Sequence, residues 1–303
     1  MKNIIFMGTP SYATCILKEL VDKGFNIQAL FTQPDKPMGR KQILTPSDTK
    51  KFALENNLNI EIFTPKSLKD ENIINEIKSL KPDFIVVAAY GKILPKEILD
   101  IAPCVNLHAS LLPKYRGASP IQSAILNGDK ISGVCTMLME EGLDSGAILE
   151  SIECDIAGKN SAEVFIMLSN LAAKLTISTL LNFEKIIPKK QDENLVIHCK
   201  KIKKEDGLIA LDNASEIYQK FLAFTPWPGI FLENGMKFLD IELIDSEKTQ
   251  KPGVILQIEK ESFLLSCKKG VLRIKTLQES GKKVLDAKTY LNGKRLKLGD
   301  SLF

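Results

Sequence analysis

The sequence predicts an α/β protein with a Rossmann-like N-terminal sheet, parallel or mixed, that carries helices on both faces. A smaller C-terminal antiparallel β-barrel of the OB-like type is expected to follow. Three observations support this fold class. Apolar, strand-like runs alternate with amphipathic helices through the first half of the chain. One run, 84–89, is apolar almost throughout, which is typical of a strand covered on both faces. Beyond about residue 200, short strands separated by turns replace this alternation.

The N-terminal elements follow from apolar periodicity and from the residues that end each run. The first strand, 2–7, ends at Gly8, and the first helix, 11–23, ends at Gly24. The later strands are predicted at 27–31, 60–63, 84–89, 104–107, 133–139 and 146–154. The later helices are predicted at 46–57, 67–80, 121–126 and 161–183. Because ligands of such sheets bind at the carboxyl ends of the strands, we expect the functional site at that edge.

The C-terminal elements are a helix and several short strands. The helix 214–224 ends at the segment 225–229, Thr-Pro-Trp-Pro-Gly, whose Trp227 is expected to pack in the core or between domains. Strands are predicted at 238–243, 253–258, 262–266 and 270–276, with a last one near Leu296. The predicted domains are 1–184 and 200–303, joined by a polar linker at 185–199.

Composition excludes several classes of protein. The chain has 303 residues, of which 44% are hydrophobic and 26% are charged, so a wholly disordered or fibrous protein is not expected. Six dispersed cysteines without a Cys-x-x-Cys pair, and only two histidines, predict neither a disulfide framework nor a metal site. Without an apolar run of about 18 residues or a signal peptide, we expect a cytoplasmic protein that does not contact the membrane. Nothing in the sequence suggests an obligate dimer, so a monomer is expected.

The positive charge is concentrated in the C-terminal part. Residues 1–188 contain 20 lysines and arginines against 21 acidic residues, whereas residues 189–303 contain 21 against 16. This asymmetry suits a polyanionic partner of the second domain, although a lysine-rich solvated surface would give the same count.

A dinucleotide or nucleoside triphosphate site is disfavoured. The segment 7–10, Met-Gly-Thr-Pro, has one glycine where a dinucleotide fingerprint needs three. The chain also lacks the Gly-x-x-x-x-Gly-Lys-Ser/Thr pattern of a P-loop.

The candidate catalytic residues are Asn106, His108 and Asp144. Asn106 and His108 are two residues apart at the end of a strand, so they share a face, and Asp144 lies between Gly142 and Gly146. An amide, an imidazole and a carboxylate without a nucleophilic Ser or Cys are suited to acyl transfer to an amine. The amide stabilises an oxyanion and the imidazole exchanges a proton near neutral pH. By themselves these residues also fit a structural histidine and a turn aspartate.

Adjoining motifs decide between these interpretations. Three segments resemble the motifs of the 10-formyltetrahydrofolate-dependent formyltransferase family: 106–113 (Asn-Leu-His-Ala-Ser-Leu-Leu-Pro), 116–122 (Arg-Gly-Ala-Ser-Pro-Ile-Gln) and 142–146 (Gly-Leu-Asp-Ser-Gly). Four more segments resemble those of its members that act on methionyl-tRNA: 6–10, 32–41, 89–95 and 224–229.

The resemblance implies a formyl transfer from 10-formyltetrahydrofolate to the α-amine of methionine on initiator tRNA, which serves translation initiation. It implies that Asn106, His108 and Asp144 are catalytic and that no metal is needed. The residues implied to bind the folate are Ser110, Leu111, Leu112, Pro113, Ala88, Ala89, Tyr90, Gly91, Ile93 and Leu94.

The segment 34–47 is predicted to be an irregular loop that reads the tRNA. Its cations Lys36, Arg40 and Lys41 lie among prolines and a glycine, and Arg40 is expected to make the decisive contact. Lysines at the start of the second domain are expected to contact phosphates: Lys200, Lys201, Lys203 and Lys204.

Two alternatives stay open at this point. One is another folate-dependent formyl enzyme, either acting on a small amine, such as a purine precursor or an amino sugar nucleotide, or hydrolysing the formyl group. The other is a non-catalytic RNA-binding protein on the same scaffold. The basic C-terminal part and the segment 34–47 favour tRNA over a small amine, and the intact trio favours an enzyme.

Overall fold

The computed structural model describes residues 2–39 and 41–302. Within the described chain there are two compact units. Unit 1 consists of residues up to 121 together with 131–155 and 164–200, and unit 2 of 122–130, 156–163 and the residues from 201 onward.

Unit 1 is built on a mixed, seven-stranded sheet. The strands of this unit are β1 (Asn3–Gly8), β2 (Asn26–Phe31), β3 (Lys36–Met38), β4 (Ile43–Thr45), β5 (Glu61–Phe63), β6 (Phe84–Ala88), β7 (Cys104–His108), β8 (Arg116–Gly117), β9 (Ile131–Leu138), β10 (Ile148–Asp155) and β11 (His198–Cys199). Four of them form two separate two-stranded sheets, β3 with β4 and β8 with β11. The sheet order is β10-β9-β7-β6-β1-β2-β5, in which β9 is antiparallel to both of its neighbours, β10 and β7, and all other neighbouring pairs are parallel. The α/β class with a parallel or mixed sheet is thereby confirmed.

Helices cover both faces of this sheet. The helices of unit 1 are α1 (Ser11–Asp22), α2 (Asp48–Glu55), α3 (Glu71–Ser79), α4 (Lys96–Leu99) and most of α6 (Ser161–Asn182), whereas α5 (Pro120–Leu126) belongs largely to unit 2. On one face, Met7 and Val87 belong to a buried cluster with Ile77 of α3. On the other face, the ring of Phe84 packs edge-on against Phe183, just beyond α6. Each fully buried aliphatic side chain of this kind contributes about 1.5–3 kcal/mol.

The helix α6 is the longest and the most apolar of the chain. By length and composition alone, the stretch Ser161–Lys185 would suffice to cross a membrane, and half of its most apolar 18 residues are buried within the fold. The buried residues include Leu168 and Leu180, and Thr179 bonds to Thr136 of β9 at 2.9 Å. Polar residues interrupt this stretch, so the sequence contains no continuous apolar run of about 18 residues there. Two of these polar residues, Thr176 and Thr179, are themselves buried.

The strand order reverses beside β1. The chain proceeds from β1 outward to β2 and β5, and then returns to place β6 on the other side of β1. A reversal of this kind opens a crevice at the carboxyl ends of the strands, where ligands of open α/β sheets bind. The ends of β1 and β6 that border it are Gly8 and Ala88.

Within the segment 34–47, which was predicted to be a loop, the described residues include two short strands that form a hairpin. Strands β3 and β4 pair in antiparallel register from Lys36–Thr45 to Met38–Ile43. Both strands are largely exposed, so they show none of the apolar periodicity that identifies a packed strand. Arg40 lies outside the described residues.

The predicted linker, 185–199, folds against unit 1. Lys189 and Ile148 exchange two backbone hydrogen bonds of 2.8 Å, and β11 pairs in parallel with β8. Between these two attachments, Gln191 is only 4% exposed.

Unit 2 contains an antiparallel sheet. Its strands are β12 (Ile230–Phe231), β13 (Lys237–Thr249), β14 (Ile255–Ile258), β15 (Phe263–Ser266), β16 (Lys269–Gln278) and β17 (Leu285–Asp286), and its helices are α7 (Ala214–Phe224) and α8 (Ala287–Lys294). The pairing order is β12-β13-β16-β15-β14, with β17 beside β16. The rings of Phe224, Phe238 and Phe263 are buried. Closure of this sheet into an OB-like barrel remains a prediction.

Two expectations for unit 2 are wrong. No strand lies at Leu296. The helix α8 begins where the Asp286 side chain accepts a hydrogen bond from the Thr289 amide at 2.8 Å, and it ends at Lys294. Leu296 follows directly, with its amide bonded to the Leu291 carbonyl at 3.0 Å, and an isolated antiparallel bridge joins Ser301 to Val254. Trp227, which was expected to pack, is 56% exposed.

Candidate functional site

The carboxyl end of β7 supplies the amide and the imidazole. The strand lies between β6 and β9, so its residues are covered on both sides within the sheet. Asn106 is 9% exposed and His108 is 6% exposed. Their spacing of two places both side chains on one face of the strand, as the sequence predicted.

A loop between β9 and β10 supplies the carboxylate. The Oδ1 atom of Asp144 accepts a hydrogen bond from Asn106 Nδ2 at 3.4 Å, and its Oδ2 atom lies 3.6 Å from His108 Nδ1. The amide of Gly117 also donates to Asp144 Oδ2, at 2.9 Å. The three side chains predicted to be catalytic therefore come together, although Asn106 and Asp144 are 38 residues apart in sequence.

The backbone fixes the orientation of the imidazole. His108 Nε2 lies 2.9 Å from the carbonyl oxygen of Tyr115. A carbonyl oxygen only accepts hydrogen bonds, so we assign the hydrogen of the neutral ring to Nε2. The other nitrogen, Nδ1, then faces Asp144 and is the atom at which the ring can gain or lose a proton.

Gly117 contacts both the site and the segment 185–199. A Cβ atom at this position would lie 2.2 Å from the carbonyl oxygen of Cys199, and the residue has a φ of +126°, where side chains are strained. Glycine therefore allows β8 and β11 to pair while the Gly117 amide reaches Asp144.

Sequence reasoning missed two buried polar residues beside the trio. Arg116, 4% exposed, donates from Nε to Gln191 Oε1 at 3.0 Å and from its two terminal nitrogens to Glu193 at 3.2 and 2.9 Å. Gln191 in turn donates to the backbone of the Asp144 loop. The hydrogen bonds from Arg116 lower the pKa of Glu193, and nearby positive charges, including Lys190, add to this effect. Arg116 begins the motif 116–122, which could have identified it as a site residue. The polar segment around Gln191 contains no motif or apolar pattern that indicates a buried residue.

The segment 110–113 forms a tight turn beside the trio. Ser110 is fully buried, and its hydroxyl donates to the Lys114 carbonyl at 2.6 Å. The Leu112 side chain packs with Cys135 and Met137 in a small buried cluster. Leu111 and Pro113 are half-buried. This segment gives the site an apolar wall.

The segment 88–94 divides its side chains between core and surface. Tyr90 and Leu94 pack in the buried cluster beneath the sheet, so their side chains do not face the crevice. Ala89 and Gly91 are exposed and have φ angles of +45° and +79°. These angles turn backbone groups outward at the end of β6, while Ile93 is 81% exposed.

The predicted tRNA contacts are surface residues where the structure describes them. Lys36 and Lys41 are exposed in or beside the β3–β4 hairpin. The lysines of the second group are also exposed: Lys200, Lys201, Lys203 and Lys204. A further cation near the hairpin, Lys92, donates to the Lys66 carbonyl at 2.9 Å. Burial lowers the pKa of Lys92, and the positive charge of Lys36 lowers it further.

Family models and relatives match almost the whole chain. Residues 1–174 match the formyl transferase model, and residues 201–295 match the model of the formyl transferase C-terminal domain. A methionyl-tRNA formyltransferase of Campylobacter lari is 94% identical over 303 residues, which covers all of both chains. The chain therefore belongs to the formyltransferase family and, within it, to the methionyl-tRNA formyltransferases.

Two solved structures share the fold. An N-formyltransferase of Helicobacter canadensis, in complex with folinic acid and dTDP-3-aminofucose, matches with a TM-score of 0.68 and 17% identity, over 90% of this chain and 99% of that one. HypX of Aquifex aeolicus, in complex with tetrahydrofolic acid, matches with a TM-score of 0.65 and 16% identity over 98% of this chain. This chain spans 48% of the length of HypX. At these identities the likeness establishes the fold alone.

Proposed function

We propose that this chain transfers a formyl group from 10-formyltetrahydrofolate to the α-amino group of methionine carried by initiator tRNA. Formyl transfer is the reaction of its family. The observation that carries the proposal is the convergence of Asn106 and His108 on Asp144, whose carboxylate oxygens lie 3.4 Å from Asn106 Nδ2 and 3.6 Å from His108 Nδ1, at the carboxyl edge of the sheet. These groups suit an attack by an amine on a carbonyl without a covalent enzyme intermediate.

Asn106 stabilises negative charge in this proposal. Its Nδ2 atom carries two hydrogens, of which one points to Asp144 at 3.4 Å. The second is available to the formyl oxygen, which becomes negative when the amine attacks. A preorganised donor of this kind typically contributes about 10²–10³-fold in turnover.

His108 and Asp144 manage the protons. The α-amine has an ordinary pKa of about 8, so its neutral form is accessible at cytoplasmic pH. His108 exchanges its proton at Nδ1, because Nε2 is occupied by the Tyr115 carbonyl at 2.9 Å. Asp144, 3.6 Å from Nδ1, orients the ring and stabilises it in the charged form.

The segments beside the trio fit a folate. When bound, 10-formyltetrahydrofolate supplies an activated formyl group on nitrogen. The half-buried Leu111 and Pro113 offer apolar contacts for a flat ring, and the exposed backbone at Ala89 and Gly91 offers polar contacts at ring edges. We propose that Ser110 holds the turn 110–113 and that Tyr90 and Leu94 contribute through backbone groups.

The tRNA is bound by exposed cations in this proposal. Lys36 and Lys41, with Arg40, contact the acceptor arm from the hairpin, and the four lysines between 200 and 204 contact phosphates. We propose the domain 1–184 for catalysis, 185–199 as the connection, and 200–303 for tRNA binding. We also propose that the protein acts in the cytoplasm as a monomer, which light scattering at micromolar concentration tests.

An acceptor comparison tests the proposed function. The protein is incubated with radiolabelled 10-formyltetrahydrofolate and, separately, with initiator methionyl-tRNA, elongator methionyl-tRNA, free methionine or an amino sugar nucleotide. We expect the label to enter initiator methionyl-tRNA only. Equal transfer to the sugar or to free methionine, or release of formate without an acceptor, would identify another folate enzyme. Binding of tRNA without any turnover would identify a non-catalytic RNA-binding protein.

A further inference from the structure

We propose that Gln191 is a positioning residue, which holds the backbone of the Asp144 loop and thereby places the Asp144 carboxylate between Asn106 and His108. This inference rests on the proposed function for its kinetic test. Gln191 lies in the segment that the sequence identified only as a linker, and it does not itself contact Asn106 or His108 through any described hydrogen bond.

The backbone at Asp144 needs external support. Asp144 has a φ of +50°, in the left-handed region that a side chain makes unfavourable. Two residues further on, a Cβ atom at Gly146 would lie 1.7 Å from the Leu138 carbonyl oxygen, so the loop passes tightly against β9. A strained conformation of this kind persists only when surrounding contacts determine it.

Gln191 supplies this support directly. Its Nε2 atom donates to the carbonyl oxygen of Asp144 at 2.8 Å and to that of Gly146 at 2.7 Å. Both hydrogens of the amide nitrogen are thus used on the carbonyl groups of the two residues that flank Ser145. Because Gln191 is 4% exposed, water does not readily replace these bonds.

Arg116 determines which way the Gln191 amide points. The Nε atom of Arg116 donates to Gln191 Oε1 at 3.0 Å, so the amide oxygen faces the guanidinium and the amide nitrogen faces the loop. Glu193 accepts two bonds from the terminal nitrogens of Arg116, at 3.2 and 2.9 Å, and holds the guanidinium in place. The next residue, Gly117, donates to Asp144 Oδ2. Backbone and carboxylate of Asp144 are therefore both anchored from this one cluster.

The kinetic test replaces the amide with an apolar side chain of similar size. In Gln191→Met we expect kcat to fall by about 10- to 100-fold, because a displaced carboxylate misaligns the reacting groups. The KM values for the folate and for the tRNA should change by less than about threefold, because the substitution removes no substrate contact. The matched control is Gln28→Met. Gln28 also donates to a backbone carbonyl, that of Leu80, at 2.8 Å, but near the amino end of β2.

A double-mutant cycle separates positioning from general stability. If Gln191 acts through Asp144, Gln191→Met should cost less than about threefold when added to Asp144→Asn, since the group that it places has already lost its function. A full 10-fold or greater further loss in the Asp144→Asn background would overturn the proposal. So would an equal loss of kcat in Gln28→Met, or an unchanged kcat in Gln191→Met.

A structural readout keeps this inference distinct from the proposed function. In Gln191→Met, the Gly117 amide should exchange its hydrogen faster and shift its NMR resonance, because its acceptor, Asp144 Oδ2, has moved; Gln28→Met should leave both unchanged. If Gln191→Met does not fold, Gln191→Glu keeps the size and the acceptor for Arg116 and removes the donor, with the same expected result. Retained protection at Gly117 would overturn the positioning role whatever the enzyme formylates. Failure of formyl transfer by the unmodified protein would overturn only the proposed function.

Discussion

The two units use polar side chains in different ways. At the sheet edge of unit 1, Asn106, His108 and Arg116 are each less than one-tenth exposed, and each is hydrogen-bonded to another protein group: the Asp144 carboxylate, the Tyr115 carbonyl and the Gln191 amide, respectively. On the sheet of unit 2, Arg273 pairs with Glu242 and Glu259, and these three side chains are 24–39% exposed. Hydrogen bonds within the unit 2 network lower the pKa of both glutamates.

This difference predicts which substitutions should change turnover and stability. A buried donor or acceptor that loses its partner keeps the cost of its desolvation, about 1–3 kcal/mol. An exposed ion pair is screened by water and contributes about 0–1 kcal/mol. Changes at the edge of unit 1 are therefore expected to affect turnover and stability strongly, and changes on the surface of unit 2 weakly.

The largest effect is expected at the trio. His108→Ala or Asp144→Asn should lower kcat by about 10²–10⁴-fold, because the proton that moves at His108 Nδ1 loses its carrier or its partner. The fold should stay intact, although the thermal unfolding midpoint should fall, because each change leaves a buried hydrogen-bonding group without its partner. The other histidine of the chain, the exposed His198, provides the control, and His198→Ala should keep near-normal turnover. Near-normal turnover of His108→Ala would remove this residue from the mechanism.

A smaller effect is expected where β8 meets β11. Gly117→Ala should reduce the free energy of unfolding by about 1–3 kcal/mol, because the new methyl group clashes with the backbone of Cys199. Turnover should also fall, since the Gly117 amide moves away from Asp144. Gly24→Ala is the control: Gly24 has a φ of +76° but open space around its Cβ position. Urea denaturation of both variants measures the difference, and equal losses would mean that backbone strain alone is responsible.

The exposed lysines should affect tRNA affinity and leave the chemistry unchanged. Replacing the four lysines between 200 and 204 with alanine should reduce the slope of log K against log salt by about 0.9 for each phosphate contact that is lost. The single-turnover rate at saturating tRNA should stay the same. Four exposed lysines of unit 1 serve as the control: Lys66, Lys69, Lys78 and Lys81. An unchanged salt slope in the first variant would exclude the proposed phosphate contacts.

The smallest effect is expected at Glu279, in unit 2. Hydrogen bonds from Lys282 and Lys294 lower the pKa of Glu279 from 4.5 to about 2. A depressed pKa in the folded state stabilises the protein above pH 4.5, and this contribution is lost as the pH falls from 4.5 toward 2. Glu279→Gln should therefore cost about 0.5–1 kcal/mol at pH 7, after allowance for solvent screening, and much less at pH 3. A cost that does not vary between these pH values would contradict the assignment.

Local patterns allowed much of unit 1 to be predicted. The alternation of strands and helices gave the sheet, and a spacing of two at the end of an apolar strand placed Asn106 beside His108. The glycines on both sides of Asp144 marked its turn. These features are all encoded within a few residues of one another.

The remainder depends on contacts between distant residues. Gln191 is buried because Arg116 and the Asp144 loop bind it, and nothing in its own polar neighbourhood indicates this. The exposed hairpin at 36–45 lacks a buried face, so its strands leave no alternating pattern. The apolar run around Leu296 suggested a strand, but Leu296 lies directly after α8 and its amide bonds back to the Leu291 carbonyl of that helix. Sequence periodicity reports burial against a sheet, and it does not report pairing over long separations.

The parallel pairing of His198–Cys199 with Arg116–Gly117 limits where the chain can be joined to the C-terminal part of a relative without disturbing the active site. A chimaera with a relative's C-terminal part, joined at residue 184, would carry a foreign strand against the active-site edge and a foreign side chain in place of Gln191. A junction placed after Lys200 would transplant the basic region alone. Evolutionary exchange of the second module is therefore expected to leave the stretch from 185 to 200 inherited with the first.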